Sequence, residues 1–164
     1  MRTAKQMRIC ITLAFLVGIN LIAGLAAQTT KELDVAIIVN PGNAMNNLPV
    51  AELKKIFRGE RQYWNANSPV LLLMHAPGAK ERAVILRTVL EMSEDQYTQY
   101  WVAKIMRAEA TFPPAAVFSY GMISEGVRGN RGAIGYVNAN EVPAGVKVLR
   151  VDGLLPGQPG YRLR

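Results

Sequence analysis

The apolar positions of this chain form two kinds of pattern that alternate from residue 35 onward. Continuous apolar runs of about five residues are typical of strands that are buried on both faces. They lie at residues 35–39, 70–74 and 133–137, and residues 146–151 are predicted as the last strand. Apolar residues spaced three and four positions apart predict helices between these runs. Three of these helices cover residues 49–58, 80–92 and 119–128, and another begins at residue 94 and ends before Phe112-Pro113-Pro114. In the helix 119–128, Tyr120, Ile123 and Val127 are predicted to face inward.

Strands separated by helices predict an α/β three-layer sandwich, in which helices cover both faces of a central sheet. Ligands of open α/β sheets usually bind just beyond the carboxyl ends of the strands. This rule selects three segments that follow predicted strands, namely residues 40–47, 75–82 and 136–140. We therefore expect a ligand site to draw on these segments.

The first thirty residues have the layout of a secretory signal peptide. Three basic residues occur among the first eight, and residues 9–30 carry no charge. Small residues follow, so we expect cleavage after Ala26, with Gly24 at the third position back, or after Ala27. The alternative is an uncleaved membrane anchor, because a run of this length nearly spans a bilayer. The small residues at its end favour cleavage, which predicts a periplasmic protein.

Cleavage after Ala27 divides the chain into a signal peptide, residues 1–27, and a secreted domain, residues 28–164. The remaining 137 of the 164 residues fit one compact domain. The signal peptide contains the only cysteine, Cys10, and three of the nineteen basic residues, so sixteen basic residues face twelve acidic ones in the secreted part. Because these cations are spread along the chain, we expect no nucleic-acid partner, and after cleavage no stable membrane insertion.

Motifs of common enzyme classes do not occur in the sequence, which predicts a protein without catalytic activity. Neither a P-loop, nor H-E-x-x-H, nor G-x-S-x-G is found, and the single histidine, His75, has no cysteine in the secreted part to pair with. Ser93 and Ser119 precede predicted helices, where serine serves as an N-cap. We therefore predict no catalytic residue, no metal site and no cofactor.

Two motifs together resemble one known family. The first is E-L-x-x-I-F-x-G-x-x-x-x-W over residues 52–64, and the second is G-A-I-G-Y-V over residues 132–137. In this order they are similar to the phosphate-binding subunits of bacterial ABC importers, and more closely to the short, single-domain relatives of these type II periplasmic solute-binding proteins. The resemblance implies a single type II periplasmic-binding-protein-like lobe without the second lobe that normally closes over the solute.

The same resemblance implies a small-anion site, with phosphate as the expected ligand. In the full-length phosphate binders an arginine and a serine-glycine-threonine group at the start of a helix hold the anion. The candidate ligand-binding residues here are Asn40, Asn43, Lys80, Arg82 and Tyr136.

The chain departs from that pattern where the anion would bind. His75 stands in place of the arginine, Ala79 in place of the serine, and Glu81 near the threonine. Glu81 would repel phosphate, and His75 is expected to have a loop or packing role. We therefore expect binding to be weak at most.

Two hypotheses of different class remain open. The first is a solute-binding module for phosphate or another small oxyanion, which works with the membrane permease of an ABC-type uptake system. The second is a non-transport interaction or sensor module of the cell envelope, whose ligand pocket is degraded and whose partner is another protein. The family resemblance favours the first, whereas the substitutions at His75, Ala79 and Glu81 favour the second.

Overall fold

The computed structural model describes residues 33–164, and the predicted signal peptide lies outside them. Its strands are β1 (Val35–Val39), β2 (Asn47–Leu48), β3 (Tyr63–Asn65), β4 (Ser68–Pro69), β5 (Leu71–His75), β6 (Ala115–Val117), β7 (Ala133–Asn138), β8 (Lys147–Val148) and β9 (Arg150–Val151). Its helices are α1 (Val50–Phe57), α2 (Lys80–Ile85), α3 (Glu94–Met106) and α4 (Tyr120–Gly129). None of the helices within the described part of the chain is long and apolar enough to cross a membrane.

Five of these strands form a central mixed sheet in the order β6-β5-β7-β1-β8. Strands β5, β6 and β7 run parallel to one another. Strand β1 runs antiparallel to β7, with Val35 opposite Asn138 and Val39 opposite Ile134. The carboxyl end of β1 therefore lies at the opposite end of the sheet from the carboxyl ends of β5 and β7.

Helices cover both faces of the sheet, which confirms the predicted three-layer α/β sandwich. On one face, α1, α2 and α3 bury apolar residues such as Phe57, Ile85 and Trp101 against the strands. On the other face, α4 buries Ile123 and Val127 against alternate residues of the same strands. Because side chains of a strand point alternately to its two faces, a continuous apolar run is needed to fill both layers.

Local sequence signals set the ends of two helices. Ser93 and Gln96 form a complete capping box at the start of α3, and the side chain of Ser119 caps the start of α4 by accepting a hydrogen bond from the Met122 N–H. These bonds satisfy N–H groups that have no partner inside the helix. Both serines therefore have the capping roles predicted for them.

One glycine permits a close backbone contact beside the sheet. A Cβ atom on Gly132 would lie 2.0 Å from the carbonyl oxygen of Pro69, a separation that atoms do not reach. The carbonyl of Gly132 also accepts a hydrogen bond from the indole N–H of Trp64, at 2.9 Å. Residue 132 must therefore be glycine for the segment before β5 to pack against the start of β7.

The structure corrects three details of the sequence-based elements. The predicted helix 80–92 consists of α2 followed by a π-helical turn, Leu86–Leu90, which ends at Glu91 in the left-handed conformation. The predicted strand 146–151 consists of β8 in the central sheet and β9, which pairs with β2 instead. Tyr120 was expected to face the core, but it is 38% exposed. Its position at the first residue of α4 leaves its ring at the edge of the sandwich rather than beneath it.

Candidate ligand site at the strand ends

The carboxyl ends of β5 and β7 and the start of α2 form the region where the sequence predicts an anion. This region contains Arg82, whose side chain is buried. Its Nε and Nη2 donate to the two carboxylate oxygens of Glu94, at 2.8 and 2.6 Å, and its Nη1 donates to the carbonyl oxygen of His75, at 2.8 Å. All three nitrogens of the guanidinium group therefore already have acceptors within the protein.

The electrostatics of this pair favour the charged form of both groups. Burial disfavours a charged Arg82, but the hydrogen bond from its guanidinium to Glu94 and the charge of that carboxylate outweigh the burial and raise the Arg82 pKa. The same hydrogen bond holds the pKa of Glu94 below its ordinary value. The Arg82 guanidinium also lies 5.0 Å from the ring centroid of Tyr97, in a cation–π contact. These contacts fix Arg82 as a structural cation.

Glu81 occupies the first turn of α2, close to where an anion would meet the helix. Its side chain is buried, and its carboxylate accepts a hydrogen bond from the hydroxyl group of Tyr120. Burial and this hydrogen bond to Glu81 raise the pKa of Tyr120 above its ordinary value, so the phenol stays protonated and continues to donate. A buried acidic side chain at this position opposes the entry of an anion.

His75 is the last residue of β5 and lies in the core, in the packing role expected of it. Its ring sits between those of Tyr120 and Tyr136, with centroids 5.2 Å away in both cases. Its Nε2 lies 3.2 Å from the carbonyl oxygen of Tyr136, and because a carbonyl only accepts, Nε2 carries the hydrogen. Burial lowers the pKa of His75, although the nearby Glu81 acts in the opposite direction. A neutral, internally bonded histidine cannot replace the arginine expected at this position.

Tyr136 is fully buried on β7 and has no surface available to a ligand. Its hydroxyl group accepts a hydrogen bond from the backbone N–H of His75, at 3.1 Å, and burial raises the pKa of this hydroxyl group. Its ring packs against Phe57, with centroids 5.8 Å apart. The expectation that the Tyr136 segment contacts a ligand does not fit this geometry, because the apolar face of β7 requires a core side chain here.

Asn40 and Asn43 lie at the other end of the sheet, because β1 runs antiparallel to its neighbour. The side-chain amide of Asn40 donates to the carbonyl oxygens of Val127 and Arg128, at 3.0 and 2.8 Å, and so caps the last turn of α4. Asn43 accepts a hydrogen bond from the backbone N–H of Met45, at 2.9 Å. The rule that ligands bind beyond the carboxyl ends of strands groups these two residues with Lys80 and Arg82, but it holds for strands that run in the same direction, and β1 does not.

Among the five predicted residues, Lys80 alone is exposed. It is the first residue of α2 and lines a shallow cavity of about 440 Å³ together with Gly78, Ser93 and Glu94. Lys80 and Arg82 thus share helix α2 but line different cavities, and Lys80 is the exposed one of the two. Within residues 33–164, no cluster of three histidine, cysteine or acidic side chains is placed to hold a metal ion.

Sequence reasoning missed Glu94 and Tyr120, the two residues that complete this network. Glu94 lies twelve residues after Arg82 on a different helix, and Tyr120 lies thirty-nine residues after Glu81. No local spacing links such distant partners. The sequence analysis did not predict that Arg82 and Glu81 are buried, and it is their burial that requires partners, because buried charges must be paired.

A family model described as "PBP superfamily domain" matches residues 33–153. This chain therefore belongs to the PBP superfamily. It also has the fold of solved phosphate transport proteins, and a comparison with curated proteins found no match. The fold of the chain is thus that of a binding-protein domain.

Three solved structures illustrate the likeness. A putative phosphate ABC transporter substrate-binding protein from Clostridium perfringens, with bound phosphate, is 22% identical, with a TM-score of 0.60 over 74% of this chain and 46% of that one. An ABC-type phosphate transport receptor from Vibrio cholerae is 17% identical, with a TM-score of 0.61 over 76% and 48%. PstS from Borrelia burgdorferi is 17% identical, with a TM-score of 0.62 over 80% and 54%. This chain thus spans about half the length of these proteins, and the likeness shows the fold.

Proposed function

We propose that this protein is an extracytoplasmic, non-enzymatic binding module of the cell envelope that works through a protein partner rather than by carrying phosphate. The observation that supports this proposal is the hydrogen-bonding of Arg82. Each of its guanidinium nitrogens donates to Glu94 or to the His75 carbonyl oxygen. An anion would have to compete with a carboxylate that already forms a two-point, charge-assisted contact, or reach the remaining N–H groups of a side chain that is only 7% exposed.

A second feature supports the same proposal. The carboxylate of Glu81 is buried beside the arginine and holds the Tyr120 hydroxyl group. Binding phosphate here would place its charge close to a buried carboxylate, with Lys80 as the sole accessible cation among the predicted ligand residues. Charge repulsion in a partly buried site is strong, because water screens it poorly.

The alternative function is weak binding of phosphate or another small oxyanion, linked to ABC-type uptake through a membrane permease. The names of the solved proteins support it, since they describe phosphate transport and, in one case, bound phosphate. The exposed Lys80 beside the start of α2 is the feature of this chain that such a site would use. For either function we propose a periplasmic location, set by the signal peptide at residues 1–27, with no nucleic-acid partner.

Isothermal titration of residues 28–164 with phosphate at low salt, followed by sulfate as competitor, separates the two functions. We expect no saturable heat and no thermal shift at millimolar phosphate. Saturable binding in the micromolar range would contradict the proposal and support the alternative. In that case Lys80→Ala, which alters an exposed side chain, should weaken binding if the anion sits at the start of α2, whereas Lys55→Ala on α1 serves as a matched control.

A further inference from the structure

A polar cavity lies at the end of the sheet opposite the Arg82 network. Three segments line it: residues 42–45, which follow β1, residues 64–69 of the β3–β4 hairpin, and residues 130–132, which precede β7. Because β1 is antiparallel to β7, the carboxyl end of one strand meets the amino end of the other here. The volume of the cavity is about 440 Å³, which is in the size range of small-molecule sites.

Backbone contacts hold the walls of this cavity in place. The indole N–H of Trp64 donates to the carbonyl oxygen of Gly132, and the close approach of Gly132 to Pro69 joins the same two segments. Arg61 lies over one face of the Trp64 ring, 5.7 Å from its centroid, and does not line the cavity. The indole ring is therefore fixed, and it meets the cavity at a side that Arg61 leaves open.

The asparagine side chains around this cavity offer free hydrogen-bond donors. The side-chain oxygens of Asn43, Asn65 and Asn130 each accept a backbone N–H from two residues further along, at 2.9, 3.1 and 2.8 Å. Their amide nitrogens have no acceptor within residues 33–164. Asn43 is only 8% exposed, and a donor that is largely shielded from water gains most from an acceptor on a ligand.

Arg131 adds a positive charge to these donors. It is exposed, and in the described part of the chain it has neither an ion-pair nor a hydrogen-bond partner, unlike Arg82. Its side chain lies across Gly42, where an added Cβ would be 3.4 Å from the arginine Nε. No acidic side chain lines the cavity. An arginine with free N–H groups pairs with a carboxylate at two points, so the charge of this cavity suits a carboxylate.

The remaining lining residues suit a ring that carries hydroxyl groups. The side chains of Asn67 and Ser68 can both donate and accept hydrogen bonds, as hydroxyl groups do. The C–H groups of a sugar ring pack on the electron-rich face of an aromatic ring such as that of Trp64. We propose that this cavity binds an acidic sugar, whose carboxylate pairs with Arg131 and whose hydroxyl groups accept hydrogen bonds from the free asparagine amides.

This inference does not rest on the proposed function, because none of the residues that line the cavity belongs to the Arg82 network. A bare anion is not expected to bind here, since water screens an exposed arginine and the sugar ring must supply the remaining contacts. An absence of phosphate binding is therefore compatible with binding of an acidic sugar. Lys80→Ala should leave the affinity for the sugar unchanged, because Lys80 lines a different cavity.

Titration of residues 28–164 with D-glucuronate, followed by NMR of the indole N–H groups, tests the proposal. The chain has two tryptophans, and Trp64→Phe assigns their resonances. We expect the Trp64 resonance to shift saturably, with a dissociation constant of about 0.1–5 mM, and the Trp101 resonance to stay in place. D-Glucose, which lacks the carboxylate, and acetate, which lacks the ring, should each bind at least about tenfold more weakly.

Arg131→Gln should weaken glucuronate binding at least about tenfold, because it removes the charge that pairs with the carboxylate. Arg128→Gln, at an exposed arginine that does not line the cavity, is the matched control and should leave the affinity unchanged. Because both arginines are exposed, both variants should keep the thermal unfolding midpoint of the wild type. Galacturonate and its disaccharide distinguish two sources of the sugar: tighter binding of the disaccharide indicates a glycan chain, and equal binding the free sugar.

Three results would overturn the proposal. The first is a Trp64 resonance that does not shift with glucuronate. The second is an affinity for glucose or acetate equal to that for glucuronate. The third is glucuronate binding that is unchanged in Arg131→Gln.

Discussion

Replacing Glu94 by glutamine removes the negative charge from the buried Arg82 and keeps the size of the side chain. In the wild type, Arg82 donates two hydrogen bonds to Glu94, at 2.8 and 2.6 Å. A hydrogen bond to a charged group contributes about 1.5–3 kcal/mol. The side chain of Glu94 is 39% exposed, so water screens part of this interaction. We therefore expect Glu94→Gln to lower the free energy of unfolding by about 1–2 kcal/mol.

The matched control is Asp95→Asn, in the same first turn of α3. It removes the same charge from the same helix N-terminus, where acidic residues contribute about 0.3–1 kcal/mol. Asp95 is exposed, so its replacement should lower the free energy of unfolding by no more than this helix contribution. Urea-induced unfolding at pH 7 measures both variants. Equal losses of stability in Glu94→Gln and Asp95→Asn would refute the view that Glu94 stabilises the buried guanidinium of Arg82.

The pH dependence gives a second readout of the same pair. The pKa of Glu94 is lower in the folded protein than its ordinary value of about 4.3. The stabilisation from its charged form is thus fully present above about pH 4.3, and it is lost as the pH falls through the folded-state pKa. The stability difference between wild type and Glu94→Gln should therefore shrink below about pH 4. A stability difference between the two proteins that stays constant down to low pH would show that it does not come from the charge of Glu94.

Three further predictions concern other parts of the structure. Gly132→Ala should lower the free energy of unfolding by at least about 2 kcal/mol or prevent folding, because its Cβ would clash with a carbonyl oxygen. Gly129→Ala, which has open space around its Cβ, is the control and should be neutral or slightly stabilising in thermal unfolding. Tyr120→Phe should lower stability by about 1 kcal/mol, because buried Glu81 loses its donor, and unchanged urea unfolding would contradict this contact. His75 is the only histidine, and by NMR its pKa should lie below about 6.5. The free energy of unfolding should therefore decrease as the pH falls from about 6.5 toward the folded-state pKa, because the unfolded chain takes up the proton first. A His75 pKa at or above the ordinary value would contradict its burial.

Periodicity predicted the layers of this fold because each layer is produced by a local pattern. The run 35–39 fills both faces of the sheet, and the serine caps act within one helical turn. The direction of β1 has no such local signal. It depends on the connection that brings the chain back beside β7, so the predicted grouping of Asn40 with Arg82 rested on an assumption that only tertiary structure could test.

The same limit explains the candidate site. The chemical inventory at residues 75–82 predicts a poor anion site, because His75 and Glu81 replace the expected donors. It also indicated Arg82 as the remaining anion donor. The sequence could not reveal that Arg82 pairs with Glu94 of another helix. The energy of a buried guanidinium depends on all the groups around it, not on its neighbours in sequence.

The central claim is that the Arg82 guanidinium donates its hydrogen bonds to groups of the protein itself, Glu94 and the carbonyl of His75. NMR observation of its side-chain Nε–H tests this directly, with Arg82→Lys to assign the resonance. The account predicts a slowly exchanging resonance that shifts in Glu94→Gln and does not move when phosphate is added to millimolar concentration. A resonance that exchanges rapidly, or that moves saturably with phosphate, would contradict it and would assign Arg82 to an anion site.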